Sequence, residues 1–215
     1  MINDLAHYLL PIVLLATIVL HIVRKNSGTV VAYGIQSLAV TLIILGGAIA
    51  ANSLSLMIVA LCTLAIKVIA APKYFSRLIK KHEAIYSVST YLNIPLSLVV
   101  IATLAAVAFS DKFAPLTAIV PANQMLLQLA LASIFMSLFL VVNRRGALSQ
   151  IVGVLSLENS IVCFAVLASL EQSALLQIGI LFDIAIWIII AIVFVSMIYA
   201  HFSSPDITSI KHLKD

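Results

Sequence analysis

The chain is a succession of long apolar runs parted by short polar breaks, near residues 4–23, 29–50, 53–72, 88–109, 121–142, 148–169 and 174–200. A helix needs roughly 20 mostly apolar residues to cross about 30 Å of hydrocarbon, so each run is long enough for one crossing. With 63% hydrophobic and 9% charged residues over 215 positions, and a mean hydropathy of +1.21, a soluble globule would lack the polar surface to cover itself. The pattern predicts an all-α, polytopic transmembrane bundle of about seven helices over residues 1–202, then a short cytoplasmic tail over 203–215. No length is left for a separate soluble domain.

The breaks are short. Asn26-Ser27-Gly28, Asn52-Ser53, Ser110-Asp111-Lys112, Asn143-Arg144-Arg145-Gly146 and Glu171-Gln172-Ser173 separate five of the run pairs. The third run instead passes into a basic stretch from Lys73 to Glu83. Two readings of that stretch are open. Either 73–81 is a basic amphipathic segment at the membrane surface, anchored by Tyr74 and Phe75 among the headgroups, or Pro72 kinks a longer helix that continues through Lys81.

Orientation follows from the positive-inside rule. Arg24, Lys25, Lys73, Arg77, Lys80, Lys81, Arg144, Arg145, Lys211 and Lys214 all follow odd-numbered runs; Lys112 alone lies on the opposite side, and Lys67 lies within a run. This predicts the N-terminus outside and the C-terminus inside. Asp4 precedes the first run and Arg24 and Lys25 follow it, the reverse of a signal peptide, so the first run is expected to stay as a helix. Net charge +4 and pI near 9.2 do not point to nucleic acid, because the basic residues sit in breaks between apolar runs and not along one face.

Several chemistries are absent from the sequence. There is no GxxxxGK[ST] loop, GxSxG elbow or HExxH pair. Cys62 and Cys163 lie singly in apolar runs, which argues against a disulfide framework, a zinc site or an iron–sulfur site. No cofactor or metal is therefore expected on this chain, no catalytic residue is assigned, and any redox centre must belong to another protein of the assembly. Paired helix breaks in corresponding halves, the mark of an inverted-repeat transporter, are also missing.

Charges inside apolar runs are the remaining signal. Each costs about 2.5–3.5 kcal/mol at a helix centre, so such residues face a protein interior or water. Lys67, Glu158 and Asp183 qualify. At 1.5 Å per residue they lie roughly 22, 20 and 15 Å from the outer loops, close to one layer. Facing one another they would form coupled titratable sites of the kind that relay protons; the plainer alternative is a fixed buried Lys67–Glu158 pair that specifies packing. His7, His21 and His201 stand near run ends, where an imidazole sits in the interface without doing chemistry. Asn159 and Gln177 are expected to hydrogen-bond within the bundle, and Gly153 and Gly179 to let helices approach closely.

These residues carry a resemblance. YGIQSL at 33–38, IKVIAAP at 66–72, LSLEN at 155–159, QIGILFDI at 177–184 and DITSIKHLK at 206–214 resemble, in order and spacing, the component E membrane subunit of hydrogenase-4 and formate hydrogenlyase-type complexes. The stretch from Arg144 to Ala168 is more distantly similar to the small three-helix K subunit of respiratory complex I and to its counterpart in Mrp-type antiporters. In those relatives the helix glutamate comes two residues after the glycine; here Glu158 follows Gly153 by five, an offset of three residues, close to one helical turn. Where the relatives place a second intramembrane glutamate, this chain has Gln177, which cannot ionise.

The resemblance implies a non-catalytic subunit of a group 4 hydrogenase-like complex in the cytoplasmic membrane of a bacterium or archaeon, with Lys67, Glu158 and Asp183 as proton- or ion-path candidates. Its partners would be other membrane subunits and lipid. The alternatives are a subunit of a cation/proton antiporter-type assembly without a redox arm, and a purely structural subunit.

Overall fold

A computed structural model describes residues 2–81 and 88–168, together with Ile189. The described residues are helical apart from short connections and a single antiparallel bridge between Thr90 and Arg144.

The first two helices, α1 (Ile2–Ile22) and α2 (Asn26–Ala50), pack as a hairpin. At the far end of α2 the backbone turns sharply. Asn52 adopts a left-handed φ of 47°, a region asparagine tolerates better than most side chains. Its N–H donates to the Ile49 carbonyl at 3.2 Å, and the Ser53 N–H donates to the Ala48 carbonyl at 3.0 Å. Two carbonyls that the helix end would leave open are thereby satisfied. The Ser53 hydroxyl then accepts from the Leu56 N–H at 3.4 Å and caps α3 (Leu54–Thr63). Two adjacent residues end one helix and start the next.

The third helix does not stop at Pro72. It widens into a π-helical stretch over Leu64–Ala70 and continues as α4 (Ala71–Lys81). A proline inside a helix lacks an N–H and pushes its ring against the carbonyl four residues earlier. Here the preceding turn opens, so that the Ala71 N–H reaches back to the Ile66 carbonyl in the i to i−5 pattern. Of the two readings of this stretch, the kinked continuous helix is the one found. Phe75 is 1% exposed and meets the Tyr33 ring edge-on at 6.5 Å, so it anchors the helix to α2 and not to headgroups; Tyr74, on the other face, is exposed.

The fourth run also differs from expectation. Residues 88–93 are non-helical, with a bridge at Thr90 and a bend over Tyr91 and Leu92, and tie two loops together; the helix α5 (Ile94–Ala108) begins only where Asn93 caps it, its Oδ1 accepting from the Leu96 N–H at 3.0 Å. Proline at position 95 suits the first turn, where no N–H is needed. After α5 come a 3-10 turn (Asp111–Phe113) and the short α6 (Ala114–Thr117), bent 54° from it. A further 3-10 turn (Pro121–Asn123) leads into α7 (Gln124–Asn143), which pairs with α8 (Ala147–Leu167). Gly153 makes that pairing close: a Cβ there would lie 3.2 Å from the backbone of Val141.

Among the described residues, five helices are long and apolar enough to cross a membrane, or six if α5 and α6 form one broken span. They join at two ends. One end gathers the 22–26 turn, residues 88–93 and the 143–147 turn: the Val88 N–H donates to the Arg24 carbonyl, the Arg145 N–H to Ser89 and the Tyr91 N–H to Asn143. The other end holds residues 51–53 and the 109–123 connection, where the Asn123 side chain donates to the Leu167 carbonyl at 3.1 Å. Apart from Ile189, the expected run at 174–200 lies outside the described residues, as does the tail at 203–215.

Candidate functional site

Between these two ends, in the middle of the bundle, lies a buried polar array contributed by five helical segments. Its charged members come from the π-helical stretch and α8. The Lys67 ammonium, 1% exposed, forms an ion pair with Glu158 and donates to Asn159 Oδ1 at 3.0 Å. Glu158 is 20% exposed. The two expected partners are therefore in direct contact, and the carboxylate is the more accessible of the two. The π-helical turn has a direct consequence here: one extra residue per turn alters the facing of everything before it relative to α4, so Lys67 and Phe75 can both point inward.

From Asn159 the array runs through α2. The Asn159 amide donates to the Ser37 hydroxyl at 2.9 Å and to Gln36 Oε1 at 3.3 Å. The Gln36 amide donates in turn to the Thr17 hydroxyl of α1 at 2.8 Å and to Ser156 of α8 at 2.9 Å. Ser156 and Ser137 of α7 lie 2.9 Å apart, and Ser137 lies 3.3 Å from Ser160. Thr17 and Ser160 return their own protons to carbonyls one turn earlier, at Val13 and Ser156. Gln36, Ser37, Ser137, Ser156, Asn159 and Ser160 are all buried. A buried polar group without a partner costs about 1–3 kcal/mol, and this network supplies partners on five segments at once.

Chemically the members differ. Lys67 and Glu158 each have a charged and a neutral form, and this makes them the members able to gain or lose a proton. Hydroxyls both donate and accept and so pass protons along. The carboxamides of Gln36 and Asn159 do not, and they interrupt any hydroxyl chain between Ser137 and Lys67. The titratable members of the array are therefore the two residues of the ion pair, while the amides hold its geometry.

Sequence reasoning locates Lys67, Glu158 and Asn159, but not Thr17, Gln36, Ser37, Ser137, Ser156 or Ser160. Gln36 has a usable signal as a full-length amide inside an apolar run. The small hydroxyls have none, because serine and threonine inside a helix normally return their proton to their own backbone. Asp183, Gln177 and His201 lie outside the described residues. His7 is exposed, whereas His21 is 3% exposed, stacked on Phe139 at 5.3 Å and hydrogen-bonded through Nε2 to the Met136 carbonyl at 3.0 Å. It is thus a core residue and does not sit in an interface.

Arg144 carries more than the topology signal that the sequence pattern gives it: it is 1% exposed, and its guanidinium donates to the Leu20 carbonyl and, at 3.4 Å, to the Val23 carbonyl. These carbonyls have no helical partner where α1 ends, and a cation there meets the negative end of the helix dipole. Burial lowers its pKa to about 10, which leaves it cationic at neutral pH. Among the described residues no group of three or more His, Cys, Asp or Glu side chains is gathered that could hold a metal ion. Comparison with known protein families, with curated proteins and with solved structures found no match.

Proposed function

We propose that the chain is a non-catalytic, multi-pass membrane subunit that contributes to proton or ion movement, in a complex of the group 4 hydrogenase or formate hydrogenlyase kind. The observation that carries this reading is the Lys67–Glu158 pair, buried among apolar helices and held by a polar array from five segments. Two ionisable groups at such depth are costly, and they are retained where charge has to move or be sensed. The resemblance of YGIQSL, IKVIAAP and LSLEN to the hydrogenase-4 component E subunit supports the choice of complex, and those motifs supply Gln36, Ser37, Lys67, Ser156, Glu158 and Asn159.

In this reading the redox chemistry belongs to partner subunits and the membrane is the cytoplasmic membrane of a bacterium or archaeon. Glu158, the more exposed partner, takes up or releases the proton, and Lys67 responds to the change in its charge. Asp183 stands as a further candidate for the path. A structural role is the second reading, favoured by the direct contact of Lys67 with both Glu158 and Asn159, which leaves the ammonium well satisfied where it is.

The test is a mild-detergent pull-down of the tagged chain from its native host. Co-purification of a nickel–iron subunit with iron–sulfur partners and hydrogen-linked activity is the expected result. Antiporter-type membrane subunits without a redox protein would replace the hydrogenase assignment with a cation/proton antiporter assembly.

A further inference from the structure

At the end of the bundle that holds the 22–26 and 143–147 turns, a cavity of about 460 Å³ opens between the end of α1, residues 88–94 and Arg144. Its volume falls within the range of about 300–1,000 Å³ usual for small-molecule sites. Its polar wall is one-sided. Arg24, Lys25 and Arg144 all line it, beside His21, Thr90 and the apolar Val88.

Charge there is not balanced from within the described residues. Arg144 is held by the Leu20 and Val23 carbonyls, which orient its guanidinium but carry no net charge to neutralise it. The carboxylates whose side chains are described lie elsewhere: Glu158 pairs with Lys67 in mid-bundle, and Asp111 belongs to the opposite end. Arg24 and Lys25 are exposed beside the buried Arg144, and three cations around one cavity favour the entry of an anion.

The His21 imidazole is already engaged, its Nε2–H donating to the Met136 carbonyl at 3.0 Å. The Thr90 hydroxyl is already committed to the Leu92 carbonyl at 2.7 Å. Among the described residues the wall therefore offers three cations and no carboxylate, a setting that suits a phosphate group.

We propose that this cavity binds the headgroup of an anionic phospholipid such as phosphatidylglycerol, with Arg24, Lys25 and Arg144 taking the phosphate. The proposal rests on the membrane placement given under Proposed function. A lipid is favoured over free phosphate because the site lies at the ends of helices long and apolar enough to span the bilayer, with Val88 and Ile94 in its wall to meet the glycerol and upper chain.

The test uses the full chain purified in mild detergent, followed by thermal unfolding and native mass spectrometry. Phosphatidylglycerol should raise the melting temperature saturably and remain bound in the gas phase, while phosphatidylcholine and inorganic phosphate at equal concentration should not. An Arg24→Gln/Lys25→Gln variant should weaken the response by about tenfold or more. These side chains can be changed without touching the Arg24 carbonyl that receives Val88, and the wild-type lipid comparison decides the matter if that variant does not fold. Equal responses to both lipids, or an unchanged response in the variant, would overturn the site. An equal response to inorganic phosphate would overturn the lipid as its source. Release of the chain from membranes by alkaline carbonate would instead remove the membrane placement; retention in the membrane without lipid selectivity would remove only the headgroup site.

Discussion

Lys67 and Glu158 illustrate how one residue's tolerance depends on another. Removing one partner of a buried ion pair leaves an uncompensated charge and costs about 3–5 kcal/mol, whereas replacing both with apolar side chains of similar volume is often close to neutral. Lys67→Met and Glu158→Leu should therefore each lower stability by about that amount, and the double variant by much less than their sum. Thermal unfolding of the four proteins in one detergent reads this directly; additive losses would mean that the two side chains do not depend on each other. Lys67 and Glu158 are legible in the sequence because a charge inside an apolar run has no innocuous place to go. Arg144 is not, since a short basic break between two runs looks the same whether its arginine points to water or folds back onto the carbonyls of a neighbouring helix. The hydroxyls of Ser137 and Ser156 are equally silent, as their network exists only once α2, α7 and α8 are packed.

At the scale of the element, apolar length predicts the helices, and local stereochemistry places their ends. Asn52-Ser53 behaves as a break of that kind should, one residue closing α2 and the next opening α3. Pro72 shows the limit of the same reasoning. A proline signals a stop or a kink, and which one occurs depends on whether the helix beyond it has something to pack against; here Phe75, Leu78 and Ile79 are buried, so the helix continues and the turn before the proline widens instead. The late start of α5 has a comparable cause, because residues 88–93 spend their backbone hydrogen bonds on Arg24 and on the 143–145 turn before Asn93 caps the helix. Close packing of α7 on α8 yields a further prediction. Gly153→Val places a branched side chain against the Val141 backbone, where nothing flexible can give way, and should cost about 1–3 kcal/mol in unfolding experiments, with Gly153→Ala intermediate. A neutral Gly153→Val would contradict the α7–α8 contact.

For the whole molecule, the basic residues sort by end. Arg24, Arg144 and Arg145 lie at the end tied together through residues 88–93, and Lys112 lies with the 109–123 connection at the other. Under the membrane reading this distribution puts the 22–26 turn inside and the 51–53 turn outside. Single cysteines introduced at Asn52 and Lys112, in a chain whose Cys62 and Cys163 have been replaced, should react with an impermeant maleimide added to intact cells. A cysteine at Lys25 should react only in inverted vesicles. The reverse pattern would invert the proposed topology without altering the bundle. The central claim concerns what the buried pair does in the assembled complex. Its most direct measurement is proton movement by the purified complex in proteoliposomes, followed with a pH-sensitive dye, for the wild type and for Glu158→Gln. The account predicts a Glu158→Gln complex that retains its full set of subunits and loses proton movement; proton movement equal to wild type, or loss of the complex itself, would contradict it.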